Sequence, residues 1–419
     1  MTSEVDVRCE TLQSVARVVD RQPCQTTASM RVLYCILDNR VGGPHRRALT
    51  MARHLQRHGV ETVFLTGWKS ADPWRPEGFM SFACRDIQCI SRHRPMRTLA
   101  RFSVGLRRTV AEIRRLIADQ RIDIVHVDGV TNFVPALAAK RSGIPVVWTY
   151  NDHPPAPLKP MLHWLVGALA SRVIVQGQAL RQTRTAPCPK LHNKTTVLPG
   201  TVDISRFAPE RRDAEQRRLV RNELGVPSDG LLVGTIGNMN RFKGHRYLLE
   251  AAARMREQMD AIRFVIVGRE LDTDAAYRRE LKELTARLGL RDRVVFAGFR
   301  EDVPAILSAL DLFVLPSILE SCPIALLEAM AMRVPVVATD VGAVGDMVAH
   351  GETGLLVPPR KSKALAEAML TILRMPPEQV MTMTHRARER VEQGFGADAI
   401  ALRQWRIYES VRRPAMSHA

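Results

Sequence analysis

The sequence predicts an α/β protein built of two doubly wound domains. Short β-branched runs alternate with longer amphipathic stretches from end to end, the pattern of βαβ units. Several of the short runs are apolar throughout, as strands covered on both faces must be. The 419 residues, 46% hydrophobic and 25% charged, have a globular balance, and that length suits about two domains.

Residues 1–29 mix acids and bases, with no continuous apolar stretch and no small-residue cleavage site. They are expected to form a flexible tail rather than a secretory signal. Five strand-like runs follow: RVLYCIL (31–37), ETVFLTG (61–67), DIVHVDG (123–129), IPVVWTY (144–150) and RVIVQ (172–176). Pro199, Gly200 and Pro209 then interrupt any regular element, which puts a boundary near 197–209. Beyond it come LLVGTIG (231–237), RFVIVG (263–268), RVVFAG (293–298), DLFVLPS (311–317), VPVVATD (334–340) and GLLVPP (354–359), with helical patterns at 246–259 and 275–290 between them. The stretch 397–411 reads as a helix with Ile400, Trp405, Ile407 and Tyr408 apolar and no strand after it, so it must pack on something already built. The expected division is 1–29, 30–200, 201–395, and a terminal segment 396–419 returning towards the first domain.

Composition removes several function classes. Seven cysteines, an odd count without a C-x-x-C pair or a His cluster at ligand spacing, indicate neither a disulfide framework nor a structural zinc. The most apolar patch, MLHWLVGALA at 161–170, is too short to span a bilayer. A soluble or peripheral protein of the cytoplasm is expected. Of the net charge of +18, residues 1–200 carry 29 basic against 14 acidic side chains, whereas 201–419 carry 32 against 29. An anionic partner for the first half is implied. With 5% aromatic residues and no RNP or zinc-finger pattern, nucleic acid is not that partner.

The chemistry concentrates in ESCPIALLEAM (320–330), directly after the apolar LFVLPS. Pro323 suits a first helical position, which places Glu320 in the loop at a strand end and Glu328 about one and a half turns into a helix. The amides of Ile324, Ala325 and Leu326 would then point out of the helix start and favour an anion. Ligands of open α/β sheets bind at the carboxyl ends of strands. Carboxylates on either side of a diphosphate make sense when they reach past it to hydroxyl groups. A nucleotide sugar is such a ligand. Glycoside hydrolysis also uses two carboxylates, about 5 to 5.5 Å apart for retention, but a glutamate held inside a helix is poorly placed to close on the carbon that Glu320 would reach.

E-x7-E followed by AMAMRVPVVATD, with GNMNRFKGH upstream, GETGLLVPP downstream and the hinge LPGTVDISRF, resembles the retaining glycosyltransferases of family 4 over residues 31–411. The resemblance implies two facing Rossmann-like domains (the GT-B architecture) with the active site in the cleft. It implies that Glu320 contacts the transferred sugar and Glu328 the ribose. Ser321, Pro323, Ile324, Ala325 and Leu326 would surround the diphosphate and Lys243 would neutralise it. Gly42 and Gly43 would bring main chain close to the donor. No metal and no cofactor is implied. Positive charge from Lys243, Arg241 and the helix start would serve the leaving group.

The pattern is broken in places. Asn238 stands where a phosphate-binding arginine is usual, with Arg241 a candidate substitute. TYND puts Asn151 where a histidine is usual, leaving Asp152 or His153 as proton acceptors, since asparagine cannot take a proton at neutral pH. Asp128 replaces a second histidine, Asp346 a glutamate, and Arg333 a glycine at a helix end, where glycine makes a left-handed turn and arginine implies modest strain or a changed turn. A noncatalytic nucleotide-sugar or glycan binder is the competing expectation, and retention of Lys243, Glu320 and Glu328 favours the enzyme.

The expected reaction moves a sugar from a UDP- or GDP-linked donor to a hydroxyl of a glycan or lipid-linked acceptor. In the basic half, the pattern at 101–121 aligns Phe102, Leu106, Val110, Ile113 and Ile117 on one helix face with arginine rows beside it. Such a helix either lies on an anionic membrane surface or packs in the core with its arginines in water.

Overall fold

The computed structural model describes residues 29–37, 42–67, 74–84, 97–151, 158–211, 213–270 and 275–412. Seven strands form the first sheet: β1 (Met30–Ile36), β2 (Val60–Gly67), β3 (Ser81–Cys84), β4 (Ile124–Asp128), β5 (Val146–Thr149), β6 (Arg172–Val175) and β7 (Thr195–Val197). Six form the second: β8 (Leu231–Ile236), β9 (Ile262–Val267), β10 (Val294–Gly298), β11 (Leu312–Leu315), β12 (Val336–Thr339) and β13 (Leu355–Val357). The orders are β3-β2-β1-β4-β5-β6-β7 and β10-β9-β8-β11-β12-β13, with parallel pairing throughout. Each sheet reverses its winding once, between β1 and β4 and between β8 and β11. Those switch points open crevices at the carboxyl edges.

Helices cover both faces, which is why β4, β5 and β11 are buried at every position. All eleven strand-like runs of the sequence are strands, with ends shifted by at most two residues. The sequence reading missed β3 and β7, four and three residues long, too short to show a pattern. The expected helix 246–259 ends at Met255. The final helix, Ala397–Val411, lies under the first sheet, with Ile400 and Tyr408 in one cluster with Met30, Val32, Ile124 and Val147. Among the described residues no helix is long and apolar enough to cross a membrane.

The arginine-rich helix spans Arg97–Asp119. Its apolar stripe is spent on the core, where Val110, Ile113 and Ile117 are buried, while Arg107, Arg108, Arg114 and Arg115 are exposed. The membrane-lying reading of this helix is therefore corrected to a core-packed helix with solvated arginines. The stripe that would enter lipid is already occupied by protein.

Candidate active site

The crevice of the second sheet is made largely of main chain. After β8 the turn Arg241–Lys243 is capped by Asn240, whose Oδ1 accepts from the amides of Phe242 and Lys243 at 3.0 and 3.2 Å. Gly244 follows at φ 66°, and a Cβ there would stand 1.9 Å from the Pro316 carbonyl oxygen. Only glycine permits that approach, and the approach brings the loop after β11 onto the Lys243 turn. Lys243 Nζ donates to Glu320 Oε1 at 2.6 Å. Ser317 Oγ donates to the same oxygen at 2.8 Å. Glu320 is only 8% exposed. Gly342, at φ 61°, packs against the Glu320 carbonyl from below, where a Cβ would stand 2.1 Å from that oxygen.

The following helix spans Ile324–Ala331 with Pro323 as its N-cap, so it begins one position later than predicted. The Leu326 amide donates to the Pro323 carbonyl at 3.1 Å, which leaves Ile324 and Ala325 at the open end of the helix. Glu328 is buried. Burial pushes its carboxyl above the usual range, opposed by Arg46 and Arg206. Asn238 is half-buried just beyond β8. Arg241 turns away from Glu320 to pair with Glu280 and lies 5.2 Å over the Tyr277 ring, 62% exposed. The helix ends in a left-handed residue, Arg333 at φ 52°, so of the two expectations the turn is kept and the strain is taken. The amides of Arg333 and Val334 bond back to the carbonyls of Met330 and Ala329 at 3.1 and 3.0 Å, a Schellman ending with arginine in the glycine position.

The facing crevice is made of side chains. Gly42 caps helix Gly43–Leu55, and a Cβ on Gly43 would meet Ile324 of the opposite half at 3.9 Å. At the end of β4, Asp128 accepts from Tyr34 at 2.8 Å, Arg47 at 3.4 Å and Asn151 Nδ2 at 3.0 Å, all of them buried. Two of the sequence departures, Asp128 and Asn151, therefore touch each other. The pairing turns the Asn151 amide so that its Oδ1, buried, has no partner among the described residues. Behind it, His126 bonds Thr149 at 2.7 Å and Tyr408 at 2.6 Å. Burial, then Arg47, lowers the His126 pKa well below its ordinary value. Asp152, His153 and Val41 lie outside the described residues.

Contacts across the cleft pair residues named from the sequence with others that were not, Arg184, Gln178 and Cys322. Arg184 donates to the Tyr150 carbonyl at 3.0 Å and to Ser321 Oγ at 2.9 Å, and Ser321 in turn donates to the Asn151 carbonyl. Ser321, expected beside a diphosphate, here ties the two halves together. The Gly200 amide donates to Cys322 Sγ at 3.2 Å, and Asp346 Oδ2 accepts from the Gln178 amide at 2.7 Å, capping helix Gln178–Thr185 from the other half. The one available signal was Gly177. A Cβ there would stand 2.6 Å from Asp346 Oδ2.

Two parallel α/β units whose switch points face each other across a cleft define the GT-B fold. Sequence comparison agrees with it. A profile for glycosyl transferases group 1 matches residues 230–375, and one for glycosyltransferase family 4 matches 41–206. The chain belongs to these group 1, family 4 glycosyltransferases. Among curated relatives, it is 37% identical over 163 residues to an alpha-D-kanosaminyltransferase of Streptomyces kanamyceticus, covering 38% of this chain and 41% of that protein. It is 32% identical over 221 residues to the lipopolysaccharide core biosynthesis mannosyltransferase LpsB of Rhizobium meliloti, covering 52% and 61%. The chain thus spans about half the length of the curated relatives it matches. In fold it is similar to a glycosyltransferase from Rickettsia africae (TM-score 0.77, 19% identity, 93% of this chain and 100% of that one). It is also similar to Anabaena HepE solved with UDP-glucose (TM-score 0.75, 23% identity, 91% and 100%).

Proposed function

We propose that the protein is a retaining, metal-independent hexosyltransferase. It takes a sugar from a UDP- or GDP-linked donor to a hydroxyl of a glycan or lipid-linked acceptor, in cell-surface polysaccharide or glycolipid synthesis at the cytoplasmic face of a membrane. The Lys243–Glu320 pair beside the open helix start at Ile324 carries this reading. A lysine that neutralises diphosphate and a carboxylate that accepts sugar hydroxyls are held together before substrate arrives, and donor exchanges one for the other. Residues 201–395 hold the donor and 30–200 face the acceptor, with helix Ala397–Val411 packing back on the latter.

In the reaction the bond from the anomeric carbon to the diphosphate oxygen breaks while the acceptor oxygen bonds that carbon on the same face. The acceptor proton leaves with the diphosphate oxygen. Lys243 and the amides of Ile324 and Ala325 stabilise the departing charge. Glu320 and Glu328 orient sugar and ribose, and Asn151 Oδ1 accepts a sugar hydroxyl. Gly42 and Gly43 let the first half close, which keeps water off the donor. Asn238 borders the diphosphate, Arg241 joins it there only by leaving Glu280, and His153, outside the described residues, is kept as the acceptor-side candidate. The relatives named above carry different sugars in their names, so similarity leaves the sugar to experiment.

The test is thermal shift with a panel of UDP-, GDP- and ADP-sugars on wild type, Lys243→Ala and Glu328→Ala, followed by turnover with and without EDTA. One donor stabilising only wild type, with turnover insensitive to EDTA, supports the proposal. Absence of any donor shift overturns it in favour of a glycan-binding protein.

A further inference from the structure

Helix Lys159–Leu169 is apolar on both sides. Leu162 and Val166 are buried beneath it, while Trp164 is 67% and Met161 50% exposed on its outer side, one turn apart. A helix that is apolar all round normally has something covering each face. The protein covers one.

The surroundings of the open face are cationic. Between Gly129 and Thr201 the chain has eight lysines and arginines, of which Arg184 is buried in the cleft, and a single acid, Asp152. Lys140 and Arg141 are exposed at the end of helix Phe133–Arg141, and Lys190 is exposed in Pro189–His192; both of these helices pack beside Lys159–Leu169. Lys194 fixes the end of the helix by donating to the carbonyls of Gly167 and Ala170 at 2.8 Å each.

We infer that this face docks the protein on an anionic phospholipid bilayer, with Trp164 and Met161 at the headgroup boundary and Lys140, Arg141 and Lys190 on lipid phosphates. Tryptophan and a basic rim on one face are what an interfacial helix needs. A second copy of the chain would bring a like-charged rim against this one. The arginines of Arg97–Asp119 lack the free apolar stripe. Chain direction adds a consequence. The helix is the crossover between the parallel strands β5 and β6, so it runs back from the carboxyl edge of the sheet, where Asn151 lines the cleft. Met161 and Trp164 sit on the turns nearest that edge, while Lys140 and Arg141 end the parallel crossover helix Phe133–Arg141 nearest the opposite edge. Docking therefore lays this flank of the first half along the leaflet and sets the cleft at the membrane surface, where a lipid-linked acceptor would rise.

The inference rests on the proposed transferase activity only for that last consequence, and its test needs no donor. Full-length protein is sedimented at physiological salt with phosphatidylglycerol/phosphatidylcholine vesicles and with phosphatidylcholine vesicles alone. Wild type is expected to bind the first and not the second. A Met161→Ser, Trp164→Ser double variant with unchanged melting temperature should bind about tenfold or more weakly. Arg114→Ser with Arg115→Ser should weaken binding less than the double variant does. The inference is overturned if the double variant binds like wild type or if wild type ignores anionic vesicles. It is equally overturned if wild type proves a dimer that the double variant dissolves. In each case a donor-induced thermal shift would still stand, separating this failure from that of the transferase reading.

Discussion

At the carboxyl edge of the second sheet, main chain meets main chain at Gly244 and Gly342, and the site is set by backbone with one lysine and one glutamate added. At the facing edge of the first sheet, Arg47, Asp128, Tyr34 and Asn151 hold one another in a buried network. The proposed donor side is therefore rigid by steric exclusion, and the proposed acceptor side by hydrogen bonding. The first kind tolerates loss of a side chain without collapse, while the second does not.

The contrast breaks most visibly at Asp128. Asp128→Ala leaves the Arg47 guanidinium buried without its counter-ion, and breaking such a pair costs about 3–5 kcal/mol. Urea unfolding should show that loss, and a loss below about 1 kcal/mol would mean that the network does not hold this edge. On the donor side, Lys243→Ala should lower turnover by about 10²–10³, the usual effect of removing a group that stabilises developing charge. Arg241→Ala, which removes an exposed pair with Glu280, should cost less than about 0.5 kcal/mol of stability. Equal losses of turnover in the two variants would show that Arg241 leaves Glu280 to bind phosphate.

What the sequence disclosed follows the same division. The fold was legible because parallel strands are continuous apolar runs, and the short β3 and β7 were the exceptions. Glu320 and the helix at Ile324 were legible because Pro323 and the apolar run before it lie within a few residues of them, whereas Lys243 was legible only through the family resemblance. Arg47 finds Asp128 at a separation of 81 residues, Arg184 finds Ser321 at 137 and Gln178 finds Asp346 at 168. Nothing local marks such partners. Asn151 and Asp128 could each be seen as departures, but only the fold shows that they form one pair.

Acid should reveal His245, next to the donor lysine. Burial, then Lys243, pushes its pKa down to about 3, and both ring nitrogens lack partners among the described residues. In the unfolded chain the ring protonates near about pH 6.5. Between those values the unfolded state binds the extra proton, so stability is lost as pH falls, by up to about 1.4 kcal/mol per pH unit. Denaturant midpoints measured from pH 7 to 5 should fall less steeply in His245→Leu. Glu328 works in the opposite sense. Its raised folded pKa means that folding resists ionisation, so its penalty appears as pH rises through that value. Glu328→Gln should therefore gain on the order of 1 kcal/mol at neutral pH while weakening donor binding, a split that a plain surface glutamate would not produce.

Another small effect concerns the turn made of backbone alone. Arg333 occupies a left-handed conformation at φ 52°, which costs a residue with a Cβ roughly 1–2 kcal/mol. Arg333→Gly removes that strain, but it also frees the unfolded chain by about 0.4–1 kcal/mol. The expected net gain is about 0.5–1 kcal/mol, and calorimetry at constant pH should register a rise on the order of 1 °C. Arg333→Ala separates the causes, because it removes the long side chain and keeps the Cβ. If strain is the reason, alanine gives no gain. If alanine stabilises as much as glycine, the penalty lies in the guanidinium, whose Nε is buried without a partner among the described residues, and the donor side too would be governed by side chains.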